Sequence, residues 1–301
     1  MPTSPSTVAV LDVGCFSAHL LVVDAALGSP EHPVFTHKVR LRLDKSLDEN
    51  GHLRPDGVAA VVEAVAAARC KARRAGVTEF VPFATSSVRD AANADEVVRQ
   101  VAQQTGVRLR RFSGRQEAAL AYLAARRWFG WSAGPLTVLD VGGGTVELAA
   151  GESDRPLVAR SLPYGARSLT TMGITNAKTV QELIRSALPA EDLALLRAGQ
   201  AIGCSKVFQQ LGRLVGTGSL RVSDLDAWIP RLARLSARRR AKLPGISRHR
   251  AEQSLAGAVA ARALMGVTGH RAVRISPWST KEGLLLALME RGPEAALTDA
   301  A

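Results

Sequence analysis

Two decapeptides in this chain share one frame. Leu139–Leu148 reads LDVGGGTVEL and Leu11–Leu20 reads LDVGCFSAHL, so L-D-V-G, five residues and a leucine occur twice. The later copy carries the clearer chemistry. Gly142, Gly143, Gly144 and Thr145 form a turn with almost no side chain, and backbone N–H groups converging from such a turn bind phosphate oxygens. Asp140, which closes the strand before it, would lie beside that phosphate, where an acid is tolerable chiefly if a hard cation intervenes; Mg²⁺ is the expected ion. The plainer reading of the same residues is an ordinary tight hairpin. No G-x-x-x-x-G-K-[ST] occurs anywhere, which excludes a Walker-type nucleotide site.

The elements that must position these residues follow from the pattern of apolar runs. STVAVLDVG and HLLVVDAALG, separated by a few polar residues, predict a β-hairpin, and PLTVLDVGGGTVELAAGE repeats that grammar. Between the hairpins, LRPDGVAAVVEAVAAARCKARRAG has helical spacing with a closing glycine, and EFVPFATSS reads as a strand. NADEVVRQVAQQTG opens with Asn93 and Glu96 at capping-box spacing, and SGRQEAALAYLAARRWFG opens with Ser113 and Gln116 in the same relation. VRLRRFS lies between them as a strand. Beyond SLPYGARSLTT the chain turns largely helical. Strand and helix alternate, so the fold class is α/β with a partly parallel sheet. The turn formers of GWSAGP, Gly130–Pro135, mark the expected boundary, dividing the chain into 1–132 and 133–301. Two similar hairpins, one heading each half, predict a duplicated domain with a ligand cleft between the copies.

Composition narrows the choices. No segment approaches the about 18 uninterrupted apolar residues of a membrane span, so no membrane partner is expected. The three cysteines are few, odd in number and widely spaced, and the start of the chain lacks a signal-peptide pattern, so a reducing cytoplasm is the expected location. A net charge of +12 calls for an anionic partner or a merely basic surface. Arginines cluster in RLRRFSGR and RLARLSARRRAKLPGISRHR, but aromatics make up only 4% of the chain, which leaves few platforms for stacking bases, so nucleic acid is not the expected partner.

With those segments in view, the sequence resembles the exopolyphosphatase and guanosine pentaphosphate phosphatase family, especially its short actinobacterial-type members. LDVGCFSAHLLVVD stands where that family has D-[LIV]-G-S-N-[ST]-x-x-L-L, and ATSSVRDAANADE matches A-T-S-A-[VL]-R-x-A-x-N. SGRQEAALAYL matches S-G-x-E-E-A-x-L, LDVGGGTVEL matches D-[IV]-G-G-G-S-x-E, and SLPYGARSLT and SPWSTKEGLL match S-L-P-x-G-[AC]-x-x-L and S-x-x-x-[LM]-R-E-G. These follow the family's order from Val8 to Leu284.

The resemblance implies two duplicated actin-like (ribonuclease H-like) ATPase-fold domains with an interdomain cleft, the final helix packing back on the first. It implies release of terminal orthophosphate from linear inorganic polyphosphate by in-line attack of water, with pppGpp hydrolysis or catalytically weak binding of polyphosphate or a phosphorylated guanosine alarmone as alternatives. Glu117 falls on the catalytic base and Arg89 on a phosphate-contacting arginine. Gly14, Cys15 and Ser17 form the first phosphate loop, Gly142, Gly143, Gly144 and Thr145 the second, and Asp140 and Glu147 the metal-associated acids. The implied cofactor is Mg²⁺, with Mn²⁺ as the alternative, and a homodimer is one implied assembly. A chain ending soon after KEGLLLALMERG favours short polyphosphates. The departures are Cys15 and Phe16 where the family has Ser-Asn, Gln116 in place of an acid and Lys281 in place of an arginine. They predict a first loop weaker than the second, unless Phe16 is an interior residue.

Overall fold

The computed structural model describes residues 7–26 and 29–298, with side chains as far as residue 292. It separates into two compact units, one formed by the residues up to Ser113 together with those from Leu284 onward, the other by Gly114–Gly283.

The first unit runs β1 (Thr7–Val13), β2 (Ser17–Asp24), β3 (Phe35–Arg40), α1 (Leu43–Ser46), α2 (Pro55–Arg74), β4 (Glu79–Ala84), α3 (Ser86–Arg89), α4 (Ala94–Thr105) and β5 (Arg110–Arg111). The strands order as β3-β2-β1-β4-β5. β1, β2 and β3 are antiparallel neighbours, while β4 joins β1, and β5 joins β4, in parallel. The expected β1–β2 hairpin is present with Asp12 opposite His19. Leu11, Val13, Leu20 and Val22 close one core with Val61 and Val65 of α2 and Val97 and Val101 of α4. The run VRLRRFS yields only the two residues of β5, Arg110 and Arg111, both exposed.

The second unit runs α5 (Gly114–Phe129), β6 (Leu136–Val141), β7 (Val146–Gly151), β8 (Val158–Leu162), α6 (Ala166–Thr171), α7 (Ala177–Ser186), α8 (Ala190–Leu196), β9 (Gln200–Gly203), α9 (Ser205–Val215), β10 (Ser219–Arg221), α10 (Val222–Arg234), α11 (Ala237–Arg240), α12 (Ser254–Thr268), β11 (Ala272–Ile275) and the start of α13 (Thr280–Thr298). Its sheet is ordered β10-β11-β9-β6-β7-β8. β6, β7 and β8 are again an antiparallel meander, and β9 and β11 again add in parallel. The predicted duplication is therefore present in the topology, with β10 as an extra edge strand. β6 and β7 are buried at every position. Leu139, Val141 and Leu148 meet Val259 and Leu264 of α12 on one face, while Val138 and Ala149 meet Ala118, Ala121 and Ala125 of α5 on the other. A strand covered on both faces reads as a continuous apolar run, as LTVLDV does.

The division falls at Ser113–Gly114, earlier than the 132–133 boundary expected from GWSAGP. Buried Arg126 supplies the reason. From α5 its guanidinium donates to the carbonyls of Gly130, Gly134 and Gly151 and to the Tyr122 hydroxyl, so the turn formers are fastened to α5 and β7 instead of acting as a linker. Residues from Leu284 return to the first unit, so the last helix belongs partly to each.

Asn93 also differs from expectation. Its side chain makes no capping bond to α4. Instead its Oδ1 accepts from the Leu53 amide at 2.8 Å and its Nδ2 donates to the Leu53 carbonyl at 2.9 Å, which ties the loop before α2 to the start of α4. Removing both partners of a part-buried peptide group costs about 1–3 kcal/mol. Asn93→Ala is therefore expected to lower stability to urea by that amount, and Asn93→Ser, a good helix cap with one hydroxyl, should not restore it. Full recovery in the serine variant would return Asn93 to a capping role.

Candidate functional site

The Gly142–Thr145 turn is held by its neighbours through its carbonyls. The Gly142 amide closes the hairpin onto the Thr145 carbonyl at 2.9 Å. The Gly144 carbonyl accepts from the Gly165 amide, that of Gly142 from Ala166, and that of Gly143 from Arg167 and Ser168, at 2.7–3.2 Å. The Ser168 hydroxyl adds a bond to the Gly144 carbonyl at 2.8 Å. In a planar trans peptide the C=O and the following N–H point in opposite directions. With three successive carbonyls turned onto the first turn of α6, the amides of Gly143, Gly144 and Thr145 are all turned away from it. Three consecutive amides so arranged form an anion-binding concavity.

Close approach, not unusual backbone angles, accounts for Gly165. A Cβ there would lie 2.5 Å from the Gly143 oxygen, the Gly144 carbonyl carbon and the Thr145 nitrogen. Gly114 serves the same end at the start of α5, where a Cβ would stand 2.2 Å from the Ser161 Cβ of β8.

Three of the predicted acids, Glu117, Asp140 and Glu147, belong to the second unit with this loop. Asp140 and Glu147 face each other across the β6–β7 register. Ser161 donates to Glu147 Oε1 at 2.9 Å. Glu117, buried in the first turn of α5, follows three residues after the Gly114–Ser161 contact. Asp140 is buried, and its Oδ2 accepts from the Ser279 hydroxyl at 2.6 Å. Burial pushes the Asp140 carboxyl up to about 6, against hydrogen bonds from Ser279 and Ser205 that draw it down. Ser205 also accepts from the Val141 amide at 3.3 Å, and it is the sole non-glycine with positive φ, +71°, among the described residues. The Ser279 amide in turn donates to Glu282, three residues on, at 2.9 Å. Burial alone would raise the Glu282 carboxyl, but the Lys281 ammonium paired with it and the Ser279 amide outweigh that and hold it below the usual carboxylate range.

The other predicted residues belong to the first unit. Gly14 closes its turn by donating to the Ser17 carbonyl at 3.0 Å, as Gly142 does to Thr145. The Cys15 and Phe16 carbonyls accept from the Leu43 and Leu41 amides at 3.0 and 2.9 Å, so the amides of Phe16 and Ser17 are turned away from α1. Cys15 and Phe16 are both buried. The Thr85 amide donates to the Val13 carbonyl, and Arg89 closes α3 after it. The Arg89 Nε and Nη2 pair with Asp90 at 2.7 and 2.9 Å, so the fork expected to meet a phosphate is already engaged by a carboxylate.

Several site residues went unassigned from sequence. Asp12 stands in β1 where Asp140 stands in β6. Ser161 and Ser279 lie in the motif segments SLPYGARSLT and SPWSTKEGLL, and Ser205 outside any of them, yet a serine's role as a carboxylate's partner is invisible until the strands are paired. Cys204 is buried and burial, with Asp140 nearby, drives its thiol well up, which leaves it unreactive.

The donor set fits Mg²⁺. Among the described residues no three His, Cys, Asp or Glu side chains gather as an all-protein cage. Mg²⁺ needs none, since it keeps most of its waters and binds through one or two carboxylates plus substrate phosphates. Asp140 and Glu147 carry carboxylate oxygens of that kind, and Asp140 is in no ion pair among the described residues. Mn²⁺ shares the same oxygen preference.

Comparison with known proteins gives one consistent answer. The sequence pattern of the Ppx/GppA phosphatase family matches residues 21–292. Exopolyphosphatase 1 of Mycobacterium leprae is 38% identical, over 93% of this chain and 89% of its own. Exopolyphosphatase 1 of Mycobacterium tuberculosis is 36% identical, over 93% and 88%. Among solved structures, an exopolyphosphatase from Cytophaga hutchinsonii superposes with a TM-score of 0.82 at 20% identity, covering 95% of this chain and 98% of that one. The Aquifex aeolicus member of the Ppx/GppA family gives 0.76 at 20%, covering 94% and 97%. Both share the two-domain actin-like fold.

The contact between Gly165 and the glycine turn can be broken alone. Gly165→Ala is expected to cost about 1–3 kcal/mol of stability, as overpacking does. It should also speed hydrogen exchange at residues 165–168, whose amides are bonded to the loop. Unchanged exchange there would mean that α6 does not hold the turn.

Proposed function

The chain belongs to the Ppx/GppA phosphatase family, and on that premise we propose that it is an exopolyphosphatase, a hydrolase releasing terminal orthophosphate from linear inorganic polyphosphate. One observation carries the reading furthest: three consecutive amides turned outward by carbonyls locked onto α6, beside a buried acid with no cation of its own. That combination suits a phosphoryl group, whose oxygens take the amides.

In this reading the amides of Gly143, Gly144 and Thr145 bind oxygens of one phosphate, and the Gly14–Cys15–Phe16–Ser17 turn binds through the outward amides of Phe16 and Ser17 and the Ser17 hydroxyl, the Gly14 amide being committed to closing the turn. Asp140 and Glu147 would hold Mg²⁺, which when bound would supply charge neutralisation for the phosphoryl group. Glu117 takes a proton from the attacking water. Arg89 contributes its planar fork to a terminal phosphate, exchanging its bonds to Asp90 for charge-assisted bonds to the substrate. Ser279 and Ser205 fix the orientation of Asp140, and Ser161 that of Glu147.

Purified protein should release orthophosphate from polyphosphate only when Mg²⁺ or Mn²⁺ is supplied. A general base contributes typically 10² to 10⁴ in rate, so Glu117→Gln should lose about that factor in kcat while retaining polyphosphate binding. Asp140→Asn should shift the Mg²⁺ titration to higher concentration, since a neutral amide is a poorer ligand for a hard cation. A Glu117→Gln variant with more than about a tenth of the parent rate would remove Glu117 from the chemistry. Preference for pppGpp in the same assay would reassign the substrate within the family.

A further inference from the structure

We infer that the arginine-rich stretch from Arg231 to Arg248 is a second anion site, which holds the part of a long polyphosphate chain distal to the phosphate being removed. This rests on the proposed activity. Between Ala227 and Ala251 the chain carries eight arginines and lysines and no Asp or Glu.

Some arginines elsewhere are neutralised by a nearby acid, Arg42 by Asp44, Arg111 by Asp95, Arg160 by Asp192 and Arg262 by Asp226, whereas this stretch has no acid of its own to do so. Arg234, Arg238, Arg239 and Lys242 are exposed, and among the described residues their side chains make neither an ion pair nor a hydrogen bond. Like charges at helical spacing destabilise one another, so an undiluted run of this kind has a cost that a bound polyanion would offset.

The stretch is constructed, not merely exposed. Arg240 turns inward, its Nε donating to the Leu235 carbonyl at 3.0 Å and its Nη1 to the Ala251 and Glu252 carbonyls at 3.2 Å. Ser236 caps α11, and Leu232 and Ile246 are buried beneath it. Gly245, at φ +77°, presses onto α9, where a Cβ would stand 2.5 Å from the Arg213 Cβ, and Gln210 donates to the Ser247 hydroxyl at 2.8 Å. The exposed cations therefore stand on a fixed frame, which cuts the ordering cost of binding.

α9 links this frame to the catalytic loop. Its first residue, Ser205, hydrogen-bonds Asp140, and residues 210–214 of the same helix carry the Gly245 contact. At 1.5 Å per residue the separation along the helix axis is roughly 8–14 Å. A flexible single-stranded polyanion entering the loop by one end can reach both. Base stacking would need exposed rings, yet Trp228, the one such indole in the stretch, is covered by Arg231 at 5.3 Å from its centroid. A ligand of charges without bases fits better than a nucleic acid.

The test combines Arg234→Ser, Arg238→Ser, Arg239→Ser and Lys242→Ser, with Arg238→Ser/Arg239→Ser as a milder variant should the first fail to fold. A charge-keeping control carries Arg234→Lys, Arg238→Lys and Arg239→Lys. KM and kcat are measured on long-chain polyphosphate and on tripolyphosphate, and binding of both is measured directly by calorimetry. The four-serine variant is expected to raise KM for the long chain roughly tenfold, with a shallower salt dependence. Its kcat and its KM for tripolyphosphate should be unchanged, and the lysine control should behave as the parent. Equal effects on both lengths, or none on the long chain, would overturn the inference. If the parent releases no phosphate at all, the proposed activity fails, but calorimetry still decides: long-chain binding lost only in the serine variants supports the site, and unchanged binding removes it. Loss of single-stranded DNA binding with polyphosphate binding intact would assign the surface to nucleic acid instead.

Discussion

The chemistry of the second unit depends on the direction of three peptide planes. Carbonyls of Gly142, Gly143 and Gly144 are committed to the first turn of α6, and a planar trans peptide then leaves the next three amides no choice of direction. The helix gains acceptors for amides that have no partner within it, while the loop gains a fixed row of donors. Neither could be built alone. The same contact accounts for the glycine at 165, where a Cβ would strike the loop itself.

The first unit solves the same problem with different residues. Its meander, its short helix after the third strand and its parallel fourth strand repeat the second unit's order, and α1 takes the loop carbonyls as α6 does. Because the bonds run through backbone, Cys15 and Phe16 can replace glycine-like or polar residues without loss of the turn. What changes is the side-chain contribution. Phe16 is only 4% exposed, so its ring is an interior residue. The expectation of a polar clamp repairable by mutation thus loses ground to one in which the first loop donates through amides and Ser17. Restoring Asn at 16 would bury an amide side chain in place of a ring, and a buried polar group without partners costs stability.

Much of this was legible in the residues. The repeated L-D-V-G frame located both hairpins because strand-turn-strand grammar is local. The alternation of apolar runs gave α2, α4 and α5, with Gly76 and Gly106 closing the first two in the left-handed region. The boundary was not legible. GWSAGP has the composition of a linker, and only the position of Arg126, buried among carbonyls far apart in sequence, makes it part of the second unit. The Asn93 cap failed for the same reason: a short-range signal was outcompeted by a partner 40 residues away. Ser279, which reaches Asp140 from 139 residues away, belongs to this class too, as does Ser205 at the head of α9.

Asp140 shows how the fold reconciles stability with function. A carboxylate taken out of water is unfavourable unless hydrogen bonds or a cation compensate. Ser279 and Ser205 compensate in part, and the carboxyl still sits about two units above its ordinary value of 3.8. Two further features point to a site shaped for something besides the chain itself. Ser205 is kept in a left-handed backbone conformation that a non-glycine residue adopts only when its surroundings over-determine it, which here are the Val141 amide and Asp140. Ser279 is fixed at both ends, its hydroxyl donating to Asp140 and its amide to Glu282. An acid with no ion pair among the described residues, oriented by two hydroxyls in the same unit as a row of outward amides, is an arrangement a dication and a phosphate would together complete, each supplying the charge the other lacks.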